Sequence, residues 1–262
     1  MKIKIFFTIA CFLLLNSFAM SQDTSLYKGH FFVQGKDTMP YRVLLPINYD
    51  PHESYPLILF LHGAGERGND NVKQLGHGAY LFLKDSIRKK YPAIIVFPQC
   101  AENSFWANIN FDYDTLAKKR SIGFQADGEP TTSMKLLMSL FTELQKIYVF
   151  DKSRLYVGGL SMGGMGTFEL TRRMPNTFAA AIAICGGADT TTAKTISNTA
   201  WWVFHGSKDD VVDPAFSKNI AAALKAAGAD VRLTLYPEDG HDSWDDAFKE
   251  PELFTWLFSH HK

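Results

Sequence analysis

Hydrophobic residues in this chain fall into short continuous runs, set between stretches where they recur at helical spacing. Residues 57–61 read LILFL and 93–97 read AIIVF, and comparable runs occupy 154–157, 180–184, 201–204 and 231–236. A run with no polar alternation predicts a strand buried on both faces, as in a parallel sheet covered by helices. Residues 39–45 alternate only partly and stop at Pro46, as an early strand would. Between the runs, Met134, Leu137, Met138, Phe141 and Leu144 mark a helix over 133–147. A second helix is expected over 162–174, ending before Pro175, and a fourth over 251–260. The third, over 214–227, has Asp213 as its cap, Pro214 at its first position and Gly228 at its stop. Strands alternating with helices predict one doubly wound α/β domain, mostly parallel, with helices on both faces.

The first residues do not fit that alternation. Lys2 and Lys4 precede an apolar run over 5–15, followed by polar Asn16 and Ser17 and small Ala19 and Ser21. A basic start, an apolar core of ~7–15 residues and a small-x-small site form the layout of a cleaved export signal. Residues 1–21 are therefore expected to be the signal, cut after Ser21 or, as second choice, after Ala19, with 22–262 as the folded domain of a secreted or periplasmic protein and an uncleaved anchor as the alternative. The run falls short of the ~20 residues of a membrane helix, so no stable span is expected after cleavage. With 262 residues, 46% of them hydrophobic, the chain has material for one sizeable core. Lys+Arg and Asp+Glu both number 27, which leaves no basic excess for a nucleic-acid partner.

Removal of the signal takes Cys11 and leaves Cys100 and Cys185. Both close strand-like runs about three sheet positions apart, roughly 14 Å at ~4.8 Å per strand, which is too far for a disulfide. Two buried free thiols are expected. The segment 100–130 has little periodicity and holds Phe105, Trp106, Phe111, Tyr113 and Phe124. Irregular connections of that length are uncommon in compact domains unless they serve a function, which suggests a loop facing substrate.

Chemistry concentrates after the run 154–157. Gly159-Leu160-Ser161-Met162-Gly163 is a G-x-S-x-G sequence between a predicted strand and a predicted helix, the setting of a nucleophile elbow. The flanking glycines are needed because side chains there would collide. No Gly-Lys-Ser/Thr follows, which excludes a phosphate-binding P-loop. A serine needs a base, and the base an orienting acid, and in such elbows they follow in the order Ser, Asp or Glu, His. His241 lies in a loop beyond the last strand and is the expected base. His205 directly precedes Gly206 and is expected to shape a turn, and His260 and His261 lie at the terminus. The acid belongs in the loop 205–214. Asp213 is accounted for as a cap, and the residues alone leave Asp209 and Asp210 open. The developing oxyanion requires fixed donors: the Met162 N–H, and Ala64 N–H in the small-residue loop His62-Gly63-Ala64-Gly65. His62 is expected to brace that turn, and Glu66 and Arg67 either pair with each other or meet substrate.

The sequences LHGAGERGNDN, PQCAENSFW, RLYVGGLSMGGMGTFEL, AAAIAICGGAD, VFHGSKDDVVDP and LYPEDGHDSWDDAF together resemble secreted α/β-hydrolase esterases often labelled predicted peptidases. The chain is also similar to feruloyl and acetylxylan esterases of carbohydrate esterase family one, and to the catalytic domain of prolyl oligopeptidases. The resemblance implies the α/β-hydrolase fold and, from the first aspartate of the pair, Asp209 as the acid. It implies a serine esterase that needs no metal or organic cofactor and acts on small esters or acylated oligosaccharides, such as feruloyl or acetyl esters of plant polysaccharide. Phe105, Trp106 and Trp244 are candidates to line the substrate pocket, and either tryptophan could equally belong to the core. Two other functions remain as alternatives, a serine peptidase and a non-catalytic module that keeps the fold.

Overall fold

A computed structural model describes residues 24–114 and 119–262. The expected export signal and Cys11 lie outside the described residues. The strands are β1 (Lys28–Gln34), β2 (Asp37–Leu44), β3 (Tyr55–Leu61), β4 (Ile94–Pro98), β5 (Ile109–Asp114), β6 (Lys119–Phe124), β7 (Phe150–Leu160), β8 (Ala180–Ile184), β9 (Ala200–Gly206) and β10 (Val231–Tyr236). The helices are α1 (Ala79–Leu83), α2 (Asp85–Lys90), α3 (Thr132–Ile147), α4 (Met162–Arg173), α5 (Pro214–Ala226), α6 (Trp244–Ala247) and α7 (Leu253–Ser259). Eight strands form one sheet in the order β1-β2-β4-β3-β7-β8-β9-β10. The pairs β1/β2 and β2/β4 are antiparallel, and every later neighbour is parallel.

The continuous apolar runs do cover both faces. Leu57, Leu59, Val157 and Val203 point to one side, where they pack with Leu137, Leu144, Phe168 and Ile220 of α3, α4 and α5. Ile58, Phe60, Tyr156 and Phe204 point to the other, against Leu81 and Phe82 of α1, Phe248 just after α6, and Leu253 and Leu257 of α7. Neighbouring tryptophans in β9 follow the same rule. Trp201 stacks on Phe168 with ring centroids 4.5 Å apart, which ties α4 to β9, while Trp202 stacks on Phe204 on the opposite face. Such pairs add ~0.5–1.5 kcal/mol beyond the area they bury.

Three expectations change. The 231–236 run is an edge strand, half-buried or exposed throughout, because among the described residues no strand pairs on its outer side. The segment 100–130 is less irregular than its composition suggests, since β5 and β6 pair in antiparallel register from Ile109↔Phe124 to Asp114↔Lys119. An unpredicted strand, β1, forms the other edge and leaves Phe31 and Val33 exposed. Cys100 and Cys185 are free and buried, and the order β4-β3-β7-β8 sets their strands three positions apart. Among the described residues no helix is long and apolar enough to cross a membrane.

Chain direction in the sheet fixes where a site can form. From β3 the chain moves outward to β4 on one side and later returns to β7 on the other. Connections leaving β3 and β7 in opposite directions open a crevice at the carboxyl ends of those strands, where open α/β sheets bind ligands.

Candidate active site

Ser161 stands at that crevice, between the last residue of β7 and the first of α4. Its backbone adopts φ 52° and ψ −119°, a conformation that costs a non-glycine residue about 1–3 kcal/mol. Ser161 N donates to Ile184 O at 2.8 Å, and Ser161 O accepts from Met165 N at 3.0 Å, which hold the turn from both sides. The glycines around it are there for lack of room. A Cβ on Gly163 would sit 1.9 Å from Leu61 O, and one on Gly159 would sit 2.4 Å from Gly163 O.

His241 and Asp209 arrive from loops after β10 and β9. Gly206, at the end of β9, would place a Cβ 2.1 Å from Gly240 O, so only glycine lets the His241 loop lie across that strand end. Ser207 N to Tyr236 O at 2.8 Å and Lys208 N to Asp239 O at 2.9 Å fasten the two loops together. Asp209 Oδ2 lies 2.8 Å from His241 Nδ1, and His241 Nε2 lies 2.9 Å from Ser161 Oγ. An ionised carboxylate can only accept, so the His241 proton sits on Nδ1 and the Nε2 lone pair accepts from the serine hydroxyl.

The carboxyl is kept ionised by its surroundings. Burial opposes its charge, but hydrogen bonds from His205, His241 and the Val212 and Val211 N–H groups outweigh that cost and hold it well below the usual carboxylate range. Asp210 is exposed, and of the two it is Asp209 that is buried and bonded to His241. Asp213 caps α5 by accepting from Ala215 N at 2.9 Å, as its place before Pro214 predicts.

The loop after β3 closes on the serine. A Cβ on Gly63 would stand 3.7 Å from Ser161 Cβ, which brings Ala64, the next and exposed residue, to the site's edge. Met162 begins α4, so its N–H has no acceptor within the helix. His62 braces this loop: its Nε2 accepts from Cys100 N at 2.9 Å, and its Nδ1 donates to Gly63 O at 2.6 Å. Arg67 turns to the carbonyls of Ala64 and Glu102, each at 3.0 Å, whereas Glu66 faces His77 at 3.7 Å, so the two do not pair with each other.

The pocket candidates divide. Trp106 is fully buried, with Nε1 donating to His62 O at 3.2 Å; it belongs to the core under the β3 loop and does not line a pocket. Trp244 sets its ring edge-on to His241, with centroids 5.5 Å apart. Phe105 is half-buried, with the Arg67 guanidinium over its ring at 4.6 Å and Phe111 against it at 5.6 Å. One grouping of metal-ligand type occurs among the described residues: Cys185, Asp209 and His241 offer atoms within 4.8 Å of one another. Burial pushes the Cys185 thiol well up, so it stands there as neutral S–H, and the other two groups already bond to each other. Sequence reasoning missed the direct contact of His205 with Asp209, and the role of Ser217 behind it; no spacing in the sequence signals either.

Burial lowers the His62 pKa to about 4 from 6.5. Between those values the unfolded chain takes up a proton that the native state refuses. The stability linked to His62 is therefore intact above pH 6.5 and falls through pH 4, by on the order of 3 kcal/mol. Urea denaturation at pH 7.5 and 4.5 is expected to show a smaller drop for His62→Gln than for wild type, although the variant starts less stable. Equal drops would remove His62 as the source.

The sheet order and the serine turn at its switch point are those of the α/β-hydrolase fold. Residues 47–257 match the family model described as Phospholipase/Carboxylesterase, and the chain belongs to that family. A solved thermostable esterase is 32% identical with a TM-score of 0.79, over 91% of this chain and 64% of its own. The poly(3-hydroxybutyrate) depolymerase of Ralstonia pickettii is 31% identical over 49% of this chain and 25% of its own length. The bifunctional acetylxylan esterase/xylanase XynS20E of Neocallimastix patriciarum is 24% identical over 72% of this chain and 29% of its own. The chain thus spans less than a third of either of these two relatives.

Proposed function

We propose that the protein hydrolyses carboxylic esters through an acyl-enzyme on Ser161. The observation that carries this is the bonded series Ser161–His241–Asp209, with its proton placed so that His241 can accept another. His241 takes the Ser161 proton as Oγ attacks the ester carbonyl, and Asp209 stabilises the resulting imidazolium and keeps the ring oriented. Met162 and Ala64 N–H groups receive the oxyanion, each donor being worth ~10²–10³ in kcat. The protonated imidazole gives its proton to the departing alcohol. A water activated by the same nitrogen then releases the acid and frees the serine. The residues carry every proton transfer themselves, so the scheme requires no cofactor.

The substrate class proposed is acylated plant polysaccharide or its fragments, carrying acetyl or feruloyl groups, met outside the cytoplasm after export. Support comes from the relative named acetylxylan esterase and from the aromatic side chains near the site: Trp244 on His241, and Phe105 with Phe111 beside Arg67. The test is a fluorophosphonate reaction followed by mass mapping, together with rates on aryl acetates, methyl ferulate and short prolyl peptides. Labelling at Ser161 with turnover of the esters is expected. No labelling, or turnover of peptides alone, would reject the proposal.

A further inference from the structure

Asp209 meets two imidazoles, and the mechanism above uses only one. His205, at the end of β9, is fully buried. Its Nε2 lies 3.1 Å from Asp209 Oδ2, the oxygen that His241 Nδ1 reaches at 2.8 Å. The same Nε2 lies 2.9 Å from Val212 O. A carboxylate oxygen and a carbonyl can only accept, so Nε2 must carry a proton and His205 is a donor to Asp209. On the ring's other side, Nδ1 lies 2.7 Å from Ser217 Oγ in α5, and Ser217 Oγ lies 2.9 Å from Gly186 O in the loop after β8. Ser217 is fully buried too.

We infer that His205 is a positioning residue for the reaction, holding the carboxylate of Asp209 so that Oδ2 faces His241; this rests on the roles proposed above for Ser161, His241 and Asp209. Two backbone groups, Val211 N and Val212 N, donate to Oδ1 at 2.9 Å each. They fix one oxygen only. The other must be fixed from a different direction, or the carboxylate can pivot about Oδ1 and withdraw from the His241 ring. His205 supplies that direction from β9 itself, a strand paired on both edges. The Asp209 side chain is wholly shielded from solvent, so no water can take over a lost donor. Ser217 holds the imidazole upright from α5, and Gly186 continues the series to the loop packed on α4: a Cβ on Gly186 would be 2.7 Å from the Gly164 carbonyl carbon. The supporting network thus ends against α4, the helix that follows the serine.

Two substitutions separate this role from simple filling of space. In His205→Gln the amide nitrogen can occupy the place of Nε2 and still donate to Asp209. In His205→Asn the shorter amide reaches only the position of Nδ1, towards Ser217. Both are buried and polar, and they differ in which neighbour they serve. The Asn variant is expected to lose about ten- to a hundredfold in kcat at nearly unchanged KM, the scale of a misplaced catalytic group. The Gln variant should recover most of that loss. Ser217→Ala, which removes the brace and not the donor, should lose kcat severalfold, again with KM held. Wild-type kcat in His205→Asn, or Asn and Gln variants equally impaired, would overturn the inference. Should His205→Asn prove insoluble, wild-type kcat in Ser217→Ala would do the same. Ser161→Ala run in parallel keeps the two levels apart. If it retains turnover, the proposed mechanism fails; if it is inactive while the His205 variants are unaffected, only the role of His205 fails.

Discussion

Ser161→Ala is expected to lower kcat on an aryl ester by ~10⁴–10⁶-fold while leaving the melting temperature nearly unchanged. The size follows from the arrangement. His241 Nε2 meets the Ser161 hydroxyl at 2.9 Å, in line for proton transfer, and alanine removes that hydroxyl. The proposed oxyanion donors are backbone groups that survive the substitution, so a residual rate above the uncatalysed reaction should remain. Stability should hold, because the turn is fastened by the backbone bonds of residue 161 to Ile184 and Met165, which alanine keeps. Stopped assays on wild type and variant, with thermal melts of both, give the comparison. Comparable kcat values would sink the assignment of the nucleophile.

Gly163→Ala should do the reverse, abolishing the fold with no change in chemical groups. Its methyl would lie 1.9 Å from Leu61 O, 2.5 Å from Leu61 C and 2.8 Å from His62 O. All three are backbone atoms, so no side chain can turn aside. Either α4 lifts from the sheet or the end of β3, paired with β7 as far as Leu61↔Gly159, gives way. Ordinary overpacking costs ~1–3 kcal/mol, and a clash with a central strand should exceed it, which is a large share of the ~5–15 kcal/mol that holds a domain together. Gly65→Ala is the control, since a Cβ there meets nothing within 4 Å. Loss of soluble protein, or a large fall in the urea midpoint, is expected for residue 163 and near-neutral behaviour for 65. Equal stability of the two variants would refute the packing argument.

How much of this was legible beforehand differs from element to element. The strand runs 57–61, 93–97 and 180–184 fall within two residues of β3, β4 and β8, because burial on both faces leaves an unbroken apolar signature. The antiparallel edge β1 and the hairpin β5–β6 leave side chains in solvent, and their sequences carry little that separates them from loops. The serine turn could be read from its glycines. Trp106 could not: an aromatic in an irregular segment has the same signature whether it faces substrate or, as here, fills the space beneath a loop.

What the sequence determined by itself is whatever depends on neighbours in the chain: the alternation of strands and helices, the cap at Asp213, and a serine fixed at a strand-to-helix corner. Sheet order and the contacts across it were decided only by tertiary structure. Asp209 and Asp210 are adjacent and chemically identical, and only the fold buries one against two imidazoles while leaving the other in water. His205, four residues before Asp209, carried no sign of its contact, because a hydrogen bond depends on direction as well as on spacing, and direction was set by the strand, the loop and α5 packing together.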